Sequence, residues 1–136
     1  MENISKHITY DEAVVSPTAL RLGIDNTPNA ECLANMKAVA DACFEPLRLW
    51  YNKPLKINSF YRCVLLNTAV HGSPTSDHMK GRSIDITAGS KEENKKLFDW
   101  AKANLKFDQL INEYNYSWVH ISFHAGNNRN QTLIIT

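Results

Sequence analysis

In the stretch SPTSDHMKGRSIDIT, residues 73–87, His78 stands seven residues before Asp85, with Gly81 between them. Further along, SWVHISF (residues 117–123) offers a third donor, His120. Two imidazoles and a carboxylate form a plausible zinc set. Both ligand types suit that ion, and three protein ligands leave a fourth position for water. Zinc lowers the pKa of that water and polarises a carbonyl, as amide hydrolysis requires. By spacing alone, the same residues also read as a loop histidine, a strand-end aspartate and a surface histidine.

The three can act together only if the chain brings them to one surface, and strand parity allows this. SIDIT alternates, with Ile84 and Ile86 on one side and Ser83, Asp85 and Thr87 on the other. In SWVHISF, Val119, Ile121 and Phe123 form the apolar face, so Trp118, His120 and Ser122 project the other way. Two strands of one sheet thus turn a carboxylate and an imidazole away from their aliphatic core. His78 precedes Asp85 across a turn that Gly81 permits.

The elements around these strands carry their own signals. Thr9 with Glu12, and Ser90 with Glu93, have capping-box spacing. Ser16, Pro17 and Gly23 mark the start and stop of a short helix. Apolar residues from Leu33 to Tyr51 follow the helical period, and Pro46 should bend or break that helix. LKINSF reads as a strand, and CVLLNTAV as a helix closed by His71-Gly72. The helix after Ser90 should bury Leu97, Phe98, Ala101 and Leu105. FDQLINEY, SWVHISF and TLIIT are three late strands with no helix between them. This order predicts an α+β domain, an antiparallel sheet with helices packed on it, spanning residues 1–136 as one unit.

Composition narrows the function classes. The 136 residues suffice for one core, and a net charge of +1 gives no broad field toward nucleic acid or anionic membrane. No run approaches a membrane span. MENISKHITYDEAV lacks the apolar core of a signal peptide, so synthesis in the cytoplasm is expected. Cys32, Cys43 and Cys63 are odd in number and not in CxxC spacing, and read as reduced thiols.

SDHMKGRSIDI matches the S-x-H-x-x-G-x-(A/S)-x-D signature of the zinc D-Ala-D-Ala carboxypeptidases and related peptidoglycan endopeptidases. INSFYR resembles that family's S-x-Y-R segment, and SWVHISF its W-x-H strand. RLGIDNTP, FDQLINE and WVHIS resemble its compact phage and prophage branch, and the likeness runs from about His7 to the C-terminus. The resemblance implies a hedgehog/DD-peptidase-like fold, Zn2+ held by His78, Asp85 and His120, and a peptidoglycan stem peptide as substrate. Arg62 matches the arginine that holds a substrate carboxylate or carbonyl, a task suited to its planar fork. Ser76 matches a serine bracing the metal loop. Trp118 is either a wall of the substrate groove or a core residue. A phage or prophage lysis enzyme is the implied setting, favoured as a monomer and acting at the cell wall after release. The alternative is a non-catalytic zinc-containing peptidoglycan-binding or phage structural module.

One position departs from the family. Many members carry Glu or Asp three residues before the last histidine, as the general base; here that residue is Ser117, which is no base at neutral pH. Glu113 is the nearest carboxylate upstream, on one strand face with Gln109 and Ile111, and is the expected base. Asp77 is a weaker candidate. His124 reads as a surface histidine, with a contact to the site as the alternative. His7 and His71 read as structural or solvent-exposed.

Overall fold

A computed structural model describes all 136 residues. The capping box at Thr9 is complete: Glu12 N–H donates to Thr9 Oγ1 at 3.2 Å and Thr9 N–H to Glu12 Oε1 at 2.7 Å, opening α1 (Tyr10–Val14). Ser16 caps α2 (Pro17–Leu22), which Gly23 closes at φ 67°. Asn29 caps α3 (Ala30–Val39) by accepting from Cys32 N–H at 2.8 Å.

The bend expected at Pro46 is realised upstream of it. Residues Ala40–Phe44 form a π turn before α4 (Glu45–Tyr51), and Glu45 N–H reaches back to Ala40 O. Pro46 has no N–H to offer and its ring would crowd the carbonyl four residues back, so the helix widens by one residue ahead of it. Met36, Val39, Ala40, Cys43, Phe44 and Leu47 stay buried through this widening.

The strands are β1 (Lys56–Ser59), β2 (Ser83–Thr87), β3 (Gln109–Glu113), β4 (Trp118–Ser122) and β5 (Gln131–Ile134). Between β1 and β2 lie α5 (Val64–Ala69) and a 3-10 turn (Asp77–Lys80); α6 (Lys91–Asn104) connects β2 to β3. The sheet order is β1-β2-β4-β3-β5. All neighbours pair antiparallel except β3 and β5, which run parallel. β5 departs from the expected antiparallel order because the segment after β4 crosses the end of β3 before pairing on its far side.

Ile84, Ile86, Leu110, Val119 and Ile121 are fully buried on the sheet's apolar face, within one cluster of 21 buried residues that includes α3, α4 and α6 side chains. Two expected core residues sit at its margin. Leu105 closes α6 instead of lying within it, and Phe123 follows the end of β4; both are half-buried and lean on the cluster. At the start of α6 only half of the expected capping box forms. Ser90 Oγ accepts Glu93 N–H at 3.2 Å, but the Glu93 carboxylate takes the Tyr51 hydroxyl and Lys96 instead. An ammonium is the stronger partner for a carboxylate than a neutral backbone amide. The three cysteines are free, and burial pushes the Cys43 thiol up to about 12. No helix is long and apolar enough to cross a membrane.

Candidate metal centre

The polar face of the sheet carries the chemistry. β2 and β4 pair with Asp85 opposite His120, and β3 and β4 pair with Ile111 opposite His120 and Glu113 opposite Trp118. Asp85, His120, Ile111 and Glu113 therefore share one patch, set by parity and register together.

His78 reaches this patch from the 3-10 turn. Ser76 Oγ caps the turn by accepting His78 N–H at 3.1 Å, and Gly81, at φ 74°, closes it. α3 holds the turn from behind: Asn35 Nδ2 donates to Lys80 O at 2.9 Å and the Cys32 thiol to Met79 O. Segment 60–62 grips it from the side. His78 Nδ1 lies 2.6 Å from Phe60 O, and Arg62 N–H donates to His78 O at 3.1 Å. One histidine loop thereby fixes the backbone of Arg62.

That contact also decides the His78 tautomer. A carbonyl only accepts, so Nδ1 carries a proton and Nε2 is the nitrogen turned to the cluster. Nε2 faces Asp85 Oδ2 at 3.1 Å, while Asp85 Oδ1 lies 2.8 Å from His120 Nδ1. Burial alone would raise the Asp85 carboxyl, but His78 and His120 beside it hold it well below the usual carboxylate range. Two electron-pair donors at this distance need a proton or a cation between them. One ligand atom each from His78, Asp85 and His120 lies within 4.8 Å of the others, a donor set that fits zinc. The Nδ1–H···O=C bond from a ring whose other nitrogen faces the cluster is the usual orienting contact of a metal-ligating histidine.

Glu113 stands beside this cluster, with Oε1 3.7 Å from His120 Nδ1. Burial, helped by the Asp85 charge, raises its carboxyl above the ordinary glutamate value against the pull of His120, His78 and Arg62. The turn after β3 closes the pairing that places it opposite Trp118. Asn115 and Tyr116 both have positive φ (51° and 64°), and Ser117 N–H closes on Tyr114 O at 3.2 Å, a type I′ turn. Asn112 Oδ1 accepts the Tyr116 N–H, and Asn94 Nδ2 donates to Tyr116 O and Ser117 O at 2.9 and 3.1 Å. Ser117 itself is exposed, its hydroxyl donating to Tyr114 O at 2.7 Å.

Arg62 is half-buried. Burial lowers its pKa, while Asp85 and Glu113 oppose that shift. Its Nη2 donates to Ser76 Oγ at 3.2 Å, and its buried Nε has no partner. Trp118 is half-buried, stacked edge-on against Tyr114 with ring centroids 5.2 Å apart. Arg62, Ser76, Glu113, Trp118 and the three clustered residues all line one groove of about 830 Å³. The groove also admits His71, which is exposed.

His124 is not a free surface histidine. Its Nε2 lies 2.9 Å from Asp77 Oδ2 and 3.8 Å from Asp108 Oδ2. Asp77 is thereby committed to His124. Asp108, 1% exposed, accepts Arg129 Nε and Nη2 at 2.9 and 2.7 Å, and Arg129 holds its carboxyl below the ordinary value. Asp77, Asp108 and His124 are close enough to suggest a second metal site, but the guanidinium already neutralises Asp108, and the three form a hydrogen-bonded network closed by Arg129. Phe60 O, Asn94, Asn112 and Asp108 lie outside the site expected from sequence. Asn112 alone left a trace there, as a polar residue on the apolar parity of β3 beside Leu110.

A family model described as Peptidase M15 matches residues 6–122. No curated protein matches the chain.

Proposed function

Since the chain belongs to the peptidase M15 family, whose members are zinc peptidases, we propose that it hydrolyses an amide bond in the stem peptides of bacterial peptidoglycan, acting at the cell wall. The observation that carries this reading is the meeting of three ligand atoms within 4.8 Å, with the Glu113 carboxylate 3.7 Å from His120, on the floor of an open groove.

His78, Asp85 and His120 would hold the zinc, which supplies Lewis acidity by polarising the scissile carbonyl and acidifying water. Glu113 accepts a proton from the attacking water at its carboxylate and returns it to the leaving amine nitrogen as the C–N bond breaks. Its raised pKa suits both duties, since a stronger base takes the proton more readily and its acid still releases it. Arg62 holds a substrate carboxylate or carbonyl oxygen, and its partly desolvated charge strengthens that bond. Ser76 orients Arg62 by accepting from Nη2 and braces the His78 turn by accepting its N–H. Trp118 and Tyr114 form an aromatic wall for the peptide beside the reacting centre. Cleavage at a terminal D-Ala-D-Ala bond or within a cross-bridge fits the same groups.

Mass spectrometry of fragments released from purified peptidoglycan, with and without a chelator, tests the reading. The wild-type protein should release stem-peptide fragments and stop when chelated. Glu113→Gln should keep its zinc and lose roughly 10²-fold or more in rate. Unchanged activity in Glu113→Gln removes Glu113 from the mechanism, and insensitivity to chelation removes the metal. Ser117, which stands where many family members carry the base and gives its hydroxyl to Tyr114 O, favours one rival: a non-catalytic zinc-containing wall-binding or phage structural module. Wall binding with full zinc content and no released fragment would establish that rival.

A further inference from the structure

The groove continues past the metal cluster. Ile111 pairs with His120, so the cluster lies at the level of Ile111, and Gln109 lies about 7 Å further along β3. At that end the rim is formed by Gln109, His124 and Arg129.

Arg129 belongs to the connection from β4 to β5 and is held from behind by the buried Asp108. Its Nε and Nη2 donate to both carboxylate oxygens, and its backbone N–H adds a third bond to Oδ1 at 3.2 Å. Yet the Arg129 side chain is 60% exposed, and its Nη1 donates to no protein group. An exposed arginine ordinarily loses rotamer freedom when a ligand orders it. Here folding has already ordered it, so its remaining N–H groups are preorganised. The carboxylates nearby are occupied, Asp77 by His124 and Asp108 by Arg129. Gln109 gives its side-chain amide N–H to Gln131 Oε1 at 2.7 Å, so the charged donor this end offers a ligand is the outward edge of the Arg129 guanidinium.

We infer that Arg129, clamped by Asp108, is a carboxylate-binding subsite that selects peptides carrying a free carboxylate two to three residues from the bond at the metal. That distance follows from about 3.3 Å per residue of extended peptide. The inference rests on the stem-peptide reading and supplies the substrate's charge. A peptide's terminal and acidic side-chain carboxylates carry charge when free and none when amidated. The subsite makes this chain discriminate between the free and the amidated forms.

Binding of a panel of stem peptides, each with one free carboxylate converted to its amide, tests the subsite by calorimetry in the Glu113→Gln background, where no turnover intervenes. One amidation should weaken binding roughly ten-fold, the order of a lost hydrogen bond to a charged group. The same amidation should cost nothing once Arg129→Gln is added, while Arg129→Lys should restore part of the discrimination. An equal loss for every peptide in both Arg129 variants would make Arg129 only a loop anchor and overturn the proposal, as would no loss for any. Hydrolysis of the panel by the wild-type protein is read separately. Cleavage without coupling to Arg129 sinks the subsite alone; coupling without cleavage sinks the peptidase reading alone; no binding at all overturns the subsite.

Discussion

Gly81→Ala should damage the metal centre through packing, without touching any ligand. Gly81 closes the His78 turn at φ 74°, where an L side chain costs roughly 1–2 kcal/mol. A methyl group there would also lie 2.6 Å from Cys32 O and 2.7 Å from Met36 Cγ. Neither neighbour gives easily: Cys32 O is backbone of the capped helix α3, and Met36 is fully buried. To reach ordinary contact the turn must recede from α3 by roughly 0.5–1 Å, an overpacking that costs about 1–3 kcal/mol more. Gly126→Ala is the matched control, since Gly126 has φ 79° but nothing within 4 Å of the added methyl. Gly81→Ala should therefore lose roughly 2–5 kcal/mol and Gly126→Ala about 1–2 kcal/mol in urea unfolding of the zinc-free proteins. In thermal melts each kcal/mol should appear as roughly 3–4 °C. The same recession displaces His78 relative to Asp85, and a zinc competition titration should show affinity reduced roughly 10–100-fold, the scale of losing an orienting contact. If Gly81→Ala proves no less stable than Gly126→Ala and binds zinc normally, the turn is not wedged against α3 and its packing does not set the site.

Three further outcomes are expected. His120→Ala should lose bound zinc by elemental analysis, and full metal content in that variant would refute the ligand set. Arg62→Lys should keep the fold and the zinc but raise KM or lower kcat roughly ten-fold or more, because an ammonium cannot reproduce the fork that spans Ser76 and substrate; unchanged kinetics would remove Arg62 from substrate binding. Asp108→Asn should cost roughly 1–3 kcal/mol at neutral pH. The folded carboxyl lies below its ordinary 3.8, so its contribution is present above that value and is lost as pH falls through the lower folded pKa. The gap between wild type and variant should therefore narrow on acidification below about pH 4; a gap constant down to pH 2 would show that the ionised form is not what stabilises.

Local pattern already determined much of this protein. Alternation in SIDIT and SWVHISF separates Ile84, Ile86, Val119 and Ile121 from Asp85 and His120, because strand side chains alternate whatever the strand pairs with. The caps at Thr9, Ser16 and Gly23 are equally local, closed within three residues or set by a single φ. Tertiary structure decided what pairing and distance govern. Register brings Asp85, His120 and Ile111 level, and Glu113 comes to lie 3.7 Å from His120 while the Ser117 hydroxyl is spent on Tyr114 O. Phe60 O fixing the His78 tautomer and Asp108 holding Arg129 join residues 18 and 21 positions apart, and no periodicity links them. A residue's face is a property of its own backbone, whereas a carboxylate's neighbours, a tautomer or a clamped arginine depend on which other segment folds against it.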